Sequence, residues 1–139
     1  MRALVLVSVL AACGGDGGSA PVAADLYGRW AATADNVVRS FYFRASDDGR
    51  HPELAGLADV YTLENDGAQV QTGSYTIEER AVTGHGTTDA LVTSVRSGAG
   101  TGSTFGNAIL DWTGETLTLS SETATAGELV FTRAFAARP

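Results

Sequence analysis

Few side chains in this chain of 139 residues could do chemistry, and their spacing limits what that chemistry could be. There is one cysteine, Cys13, there are two histidines, His51 and His85, and there is no lysine; all nine cations are arginine. Without lysine there is no Schiff-base nucleophile and no P-loop lysine for a phosphate. His51-Pro52-Glu53 and Gly84-His85-Gly86-Thr87-Thr88-Asp89 both read as loops. Neither has the His-x-His or His-Glu-x-x-His spacing that brings metal ligands together, and solvated loop histidines are the plainer reading. Asp47-Asp48-Gly49 has the oxygen donors of a calcium turn but not the later acidic positions and closing Glu. The stretch 97–104 is rich in Gly, Ser and Thr, yet no helix opens after it to complete a phosphate cradle. A Ser-His-Asp set can be drawn with His85 and Asp89, but no Gly-x-Ser-x-Gly elbow presents a serine in a strand-turn-helix context. The expectation is a protein that is not an enzyme, with no catalytic residue, no metal and no cofactor.

Cys13 is different, because of what precedes it. Met1-Arg2 is a small basic start, and residues 3–10 are apolar except for Ser8. Leu10-Ala11-Ala12 are residues a peptidase can hold extended, and Gly14-Gly15-Asp16-Gly17-Gly18 follows the cysteine. A charged start, an apolar run and a small-residue cleavage site make a secretory leader. With Cys directly after the cut, the segment resembles the bacterial lipoprotein signal, or lipobox. The resemblance implies that residues 1–12 are removed and that Cys13 receives a diacylglyceryl thioether and an acylated amine, palmitate among the chains. One acyl chain binds a bilayer only marginally, and several hold firmly. The bilayer would then be the first partner. Gly14, where an Asp would favour inner-membrane retention, implies the outer membrane of the cell envelope. The alternative is an ordinary secretory leader with an incidental cysteine. A spanning helix needs about 20 apolar residues, and this run is far shorter.

Composition narrows the rest. The formal charge is −7, and losing Arg2 with the leader makes it one unit more negative. An acidic surface repels phosphate backbones, so nucleic acid is excluded as an expected partner. With Cys13 acylated, no thiol remains for a disulfide, so the fold must rest on packing and backbone pairing. Residues 13–24 read as the lipidated Cys and a Gly, Ala, Ser and Pro tether, and residues 25–139 as one domain.

That domain reads as short strands separated by turn residues: 28–33, 37–44, 58–64, 68–78, 89–96, 105–112, 116–121 and 128–134. Asn65-Asp66-Gly67 is a hairpin signal, and Gly73 marks a bend or bulge. Thr116-Leu117-Thr118-Leu119-Ser120 alternates cleanly, with one apolar face. Leu129, Phe131 and Arg133 share a face, as do Tyr75 and Ile77, and Leu110 and Trp112. No long amphipathic helix interrupts the series. The expected fold class is all-β, an antiparallel up-and-down barrel of about eight strands, whose closure removes exposed edges. Such a barrel is filled by side chains or holds one small ligand. Phe41, Phe43, Tyr61, Tyr75, Leu110, Trp112 and Phe131 are the expected ligand-facing side chains, with the parity of the second strand left open because Val38, Ser40, Tyr42 and Arg44 form its other face. Gly73, Ala90 and Ala108 either leave space for a ligand or let the barrel close tightly, and the loop at 45–56 is expected near one mouth.

Leu26-Tyr27-Gly28-Arg29-Trp30 and Leu129-Val130-Phe131-Thr132-Arg133 together resemble the lipocalin superfamily and its small bacterial relatives. There a Gly-x-Trp opens the first strand and an Arg closes the last. The resemblance implies that Gly28 permits close backbone approach, Trp30 plugs the barrel base and Arg133 packs over its ring. Lipocalins also carry a Thr-Asp-Tyr motif, a long C-terminal helix and a cysteine pair, which this chain lacks. Two functions stay open. The leading expectation is a membrane-anchored binder of a small hydrophobic or amphipathic ligand. The alternative is an envelope interaction, structural or inhibitor protein with a filled barrel and binding loops.

Overall fold

The computed structural model describes residues 20–46, 49–121 and 128–135. Eight strands account for most of them: β1 (Gly28–Ala34), β2 (Val37–Arg44), β3 (Val60–Asn65), β4 (Ala68–Val82), β5 (Gly86–Gly98), β6 (Thr104–Trp112), β7 (Thr116–Ser121) and β8 (Glu128–Phe135). Each strand pairs with its neighbour in sequence and β8 returns to β1, so the sheet is a closed antiparallel up-and-down barrel. Among the described residues the helical pieces are two 3-10 turns, Ala23–Leu26 and Pro52–Leu54.

Local chemistry sets this path. Between β1 and β2, Asp35 (φ 53°) and Asn36 (φ 64°) both take left-handed backbone, as do Asp66 (φ 51°) and Gly67 (φ 84°) between β3 and β4. Two such residues in a row make the tight turn whose twist matches flanking strands. The two turns are tied together: the Val38 amide donates to Asp66 Oδ1 (2.8 Å) and the Asp66 amide to the Val38 carbonyl (2.7 Å). Gly28 opens β1 at φ 127° while buried, a backbone setting that suits glycine.

Alternation then sorts the side chains. Trp30, Ala32, Phe41, Phe43, Tyr61, Tyr75, Leu91, Leu117, Leu119 and Phe131 face inward and form one buried core, with Leu26 beneath them. The barrel's two ends differ. One carries Ala23–Leu26, the connection 45–59 and the turn 113–115; the side chains of Leu26 and Trp30 shut it. The far end carries the turns 35–36 and 66–67 and the loop 99–103.

A second, smaller cluster lies outside the wall. β5 pairs with β4 along most of its length, but its register with β6 runs only from Ala90↔Ala108 to Ser94↔Thr104. The tip of the β4–β5 hairpin bends back across the outer wall. Val82 packs there with Ala90, Val92 and Ala108, and His85 Nε2 lies 3.0 Å from Ser120 Oγ of β7.

Two expectations change at this level. Ala90 and Ala108 leave no space inside the barrel, because they face outward into the second cluster. Packed chain also begins before residue 25: Pro21 is buried and Ala23 packs against the core. The Asp25 carboxylate accepts from the Val22 amide (2.9 Å) and fixes the turn that crosses the plugged end.

Candidate functional site

Trp30 and Arg133 sit side by side in the register that closes the barrel, Trp30↔Arg133. The indole Nε1 donates to the Leu26 carbonyl (2.8 Å), and the guanidinium lies over the indole, 4.2 Å from its centroid. Cation over indole is worth about 0.5–2 kcal/mol depending on desolvation. The guanidinium also donates from Nε to the Gly114 carbonyl (3.0 Å), from Nη1 to Tyr27 (2.8 Å) and from Nη2 to Asp25 (2.8 Å). The Arg133 amide donates to the Glu115 carbonyl (2.9 Å). One side chain thus joins β8, the β6–β7 turn and the N-terminal turn. Trp112 packs against Trp30 from β6, with centroids 5.8 Å apart.

Above this plug, five of the expected ligand-facing side chains meet one another across the bore. Phe41 stacks on Phe43 (5.0 Å), contacts Tyr61 edge-on (5.8 Å) and tilts against Phe131 (5.4 Å), while Phe43 meets Tyr75 edge-on (4.7 Å). These spacings are those of directly packed rings. The most exposed of the five, Phe41, is 8% exposed. The middle of the bore is therefore occupied by the protein's own rings.

The phenols in this layer are hydrogen-bonded and stay neutral. Tyr61 donates to Gln71 Oε1 (2.7 Å), and Gln71 Nε2 donates on to the Ala99 carbonyl in the far-end loop (2.8 Å). Tyr75 donates to the Ala23 carbonyl (2.8 Å). Burial pushes the Tyr61 phenol well above its ordinary value, partly offset by a hydrogen bond with Thr93. Burial, then the charge of Asp59, does the same to Tyr75. Tyr27 is raised by donating to the Asp59 carboxylate (2.7 Å). Phenols held neutral in this way orient neighbours and do not serve as bases near neutral pH.

The other expected site residues scatter. Leu110 does not face the bore. The β6–β7 register passes from Ile109↔Leu119 to Asp111↔Thr118, so Leu110 is the extra residue of a bulge and is 37% exposed. The bulge puts Ile109, not Leu110, on the inner face with Trp112. Two adjacent apolar residues in an otherwise alternating strand are the signal that could have revealed it. The 45–56 loop leaves β2 at the plugged end of the barrel. Its 3-10 turn lies on the outer wall, with Leu54 fully buried and the outward Thr72 hydroxyl donating to Glu53 Oε2 (2.6 Å). His51 Nδ1 lies 3.5 Å from the same carboxylate oxygen. Gly73 faces inward, and a Cβ there would run into the Ser94 carbonyl and the Tyr61 ring. Cys13 and Asp47-Asp48 lie outside the described residues.

The inward polar groups Gln71, Thr93 and Asn107 did not stand out in the sequence. Asn107 Nδ2 donates to the Leu91 carbonyl (3.0 Å). Among the described residues no three His, Cys, Asp or Glu side chains gather as a metal ion would need, and no helix is long and apolar enough to cross a membrane. No family model matches the chain, and no curated protein or solved structure matches it.

Proposed function

We propose that this is a lipoprotein of the bacterial envelope, held to the outer membrane through acylated Cys13, with a barrel that serves as a rigid scaffold for contacts with another envelope component. The observation that carries the scaffold reading is the packed ring layer of Phe41, Phe43, Tyr61, Tyr75 and Phe131. Ligand cavities of drug-sized molecules take about 300–1,000 Å³, and five rings in direct contact leave the mid-bore to themselves. Recognition then falls to the outer wall, the turns and the rims. The Gly28, Trp30 and Arg133 arrangement supports kinship with the lipocalin-like barrels, with the bore filled rather than hollow.

A second reading keeps a small hydrophobic or amphipathic ligand, restricted to the far end. It is favoured by Leu63 and Leu129, which face the core beyond the ring layer and are only half-buried. One experiment separates the two. The acylated protein, in detergent, is melted with and without a panel of fatty acids, lysophospholipid and apolar dyes. In parallel, photo-crosslinking side chains at far-end positions are activated in intact cells. A discrete crosslinked protein band and an unmoved melting temperature support the scaffold. A saturable rise in melting temperature without a crosslinked band overturns it in favour of the ligand.

A further inference from the structure

We infer that the plugged end of the barrel rests on the lipid headgroup layer, so that the far end is the face turned away from the membrane. This rests on the proposed acylation of Cys13 and adds an orientation and a contact surface to it.

The chain reaches the fold at the plugged end, where Val22 is 63% exposed. Ala24 beside it is exposed, and so is Ala58 at the entry to β3, with Leu57 half-buried. The two segments are neighbours because Tyr75 binds both. Its phenol donates to the Ala23 carbonyl and its amide to the Asp59 carbonyl (3.0 Å). The carboxylates within this patch are turned to the protein: Asp25 accepts from the Val22 amide and Asp59 from the Tyr27 phenol. The result is a small patch, Val22, Ala24 and Ala58, beside the point where the chain arrives, with Asp25 exposed in the same turn. Asp111 and Glu115 are exposed near its rim, which keeps the contact at the headgroups rather than in the acyl layer. The far end is polar by contrast, with Asp35, Asn36 and Asp66 exposed at its turns.

Chain length agrees with this placement. Whatever their conformation, the links from Cys13 to Val22 reach at most about 32 Å. An eight-residue strand such as β2, tilted as barrel strands are, rises about 20 Å along the axis before its turns are added. Inverting the barrel would take up about two thirds of that reach along the wall, before the turns are counted. Standing on the plugged end needs no such extension.

The test uses the acylated full-length protein in vesicles of phosphatidylcholine with a minor share of phosphatidylglycerol. Acylation leaves no thiol on Cys13, so a cysteine introduced as Ala58→Cys or Ala68→Cys is the only one that takes a fluorophore. Ala68 is exposed at the far end. A headgroup-level nitroxide lipid should quench the Ala58→Cys label several-fold more than the Ala68→Cys label, and aqueous iodide should do the reverse. Equal quenching at the two positions, with the wild-type protein membrane-bound and Cys13→Ser released to the soluble fraction, overturns the orientation alone. Cys13→Ser remaining with the membrane as the wild type does overturns the acylation reading and the orientation with it.

Discussion

Arg133→Lys keeps the charge and tests whether the guanidinium's shape holds the plug. Arg133 makes three side-chain bonds of 2.8–3.0 Å to the carbonyls of Gly114, Tyr27 and Asp25 while lying 4.2 Å from the Trp30 centroid. Lysine's ammonium sits at the end of one flexible stem and cannot span three diverging acceptors while stacking flat on an indole. It keeps one of the bonds. Hydrogen bonds to a charged group contribute about 1.5–3 kcal/mol each, and the side chain is half-buried, so the lower end applies. Losing two gives about 3 kcal/mol. Against a domain stability of about 5–15 kcal/mol, the variant still folds. Urea unfolding followed by circular dichroism measures the loss directly, as a lower midpoint at constant slope. A double-mutant cycle with Trp30→Phe isolates the stacking part, expected at about 0.5–2 kcal/mol. A loss below about 1 kcal/mol for Arg133→Lys would refute the reasoning, because the three bonds would then be no better than solvent-exposed ion pairs.

Gly73→Ala should destabilise by about 1–3 kcal/mol, since its Cβ meets the backbone oxygen of Ser94, which has little room to move; urea midpoints check this. Leu110→Asn should change stability by no more than about 0.5 kcal/mol, whereas Ile109→Ala should cost about 2 kcal/mol or more, and the reverse order would show that the bulge is misplaced. Alkaline pH should destabilise the barrel. Tyr27, Tyr61 and Tyr75 have folded pKa values raised above the ordinary 10.0, so their contribution is full below about pH 10 and is lost as pH rises toward the folded values, where the unfolded chain binds fewer protons. Urea midpoints at pH 8 and pH 11 measure the drop, and Tyr61→Phe should shrink it.

The barrel was legible in the sequence because its signals are local. Alternation in Thr116–Ser121 and the Asp66-Gly67 turn each needed only a few residues to read. The Trp30 and Arg133 pairing was reachable because both ends of the chain carry short, recognisable strings. Leu110 was misplaced because a bulge changes parity without changing composition, and only the partner strand decides which residue is extra. The place of Ala90 and Ala108 is illegible for a related reason. Small residues look like room for a ligand until another element is found packed on them, and the element here is the chain's own hairpin tip. The filled bore was the least legible feature. A list of inward aromatic residues is the same whether the rings surround a cavity or close it. Only centroid separations of 4.7–5.8 Å distinguish the two cases.

The order of folding follows from where the closing contacts lie. Two of Arg133's bonds join residues 106 and 108 apart in sequence, whereas the β1–β2 and β3–β4 turns close with two residues each. Contacts between distant residues carry the loop-closure cost before they return any stabilisation, so local hairpins are favoured early and long-range seams late. The β1–β8 seam is also irregular, with its register shifting between Arg29 and Trp30. Arg133 is therefore expected to act after the rate-limiting barrier of folding. On that argument, most of the stability lost in Arg133→Lys appears as faster unfolding, with the folding limb of the chevron nearly unmoved. A loss of about 3 kcal/mol on the unfolding limb alone would speed unfolding by roughly a hundredfold. Stopped-flow measurement of both limbs decides the point. A variant that folds slowly and unfolds at the wild-type rate would mean that the two ends of the chain meet first, around the indole, and that the hairpins are added to a ring already closed.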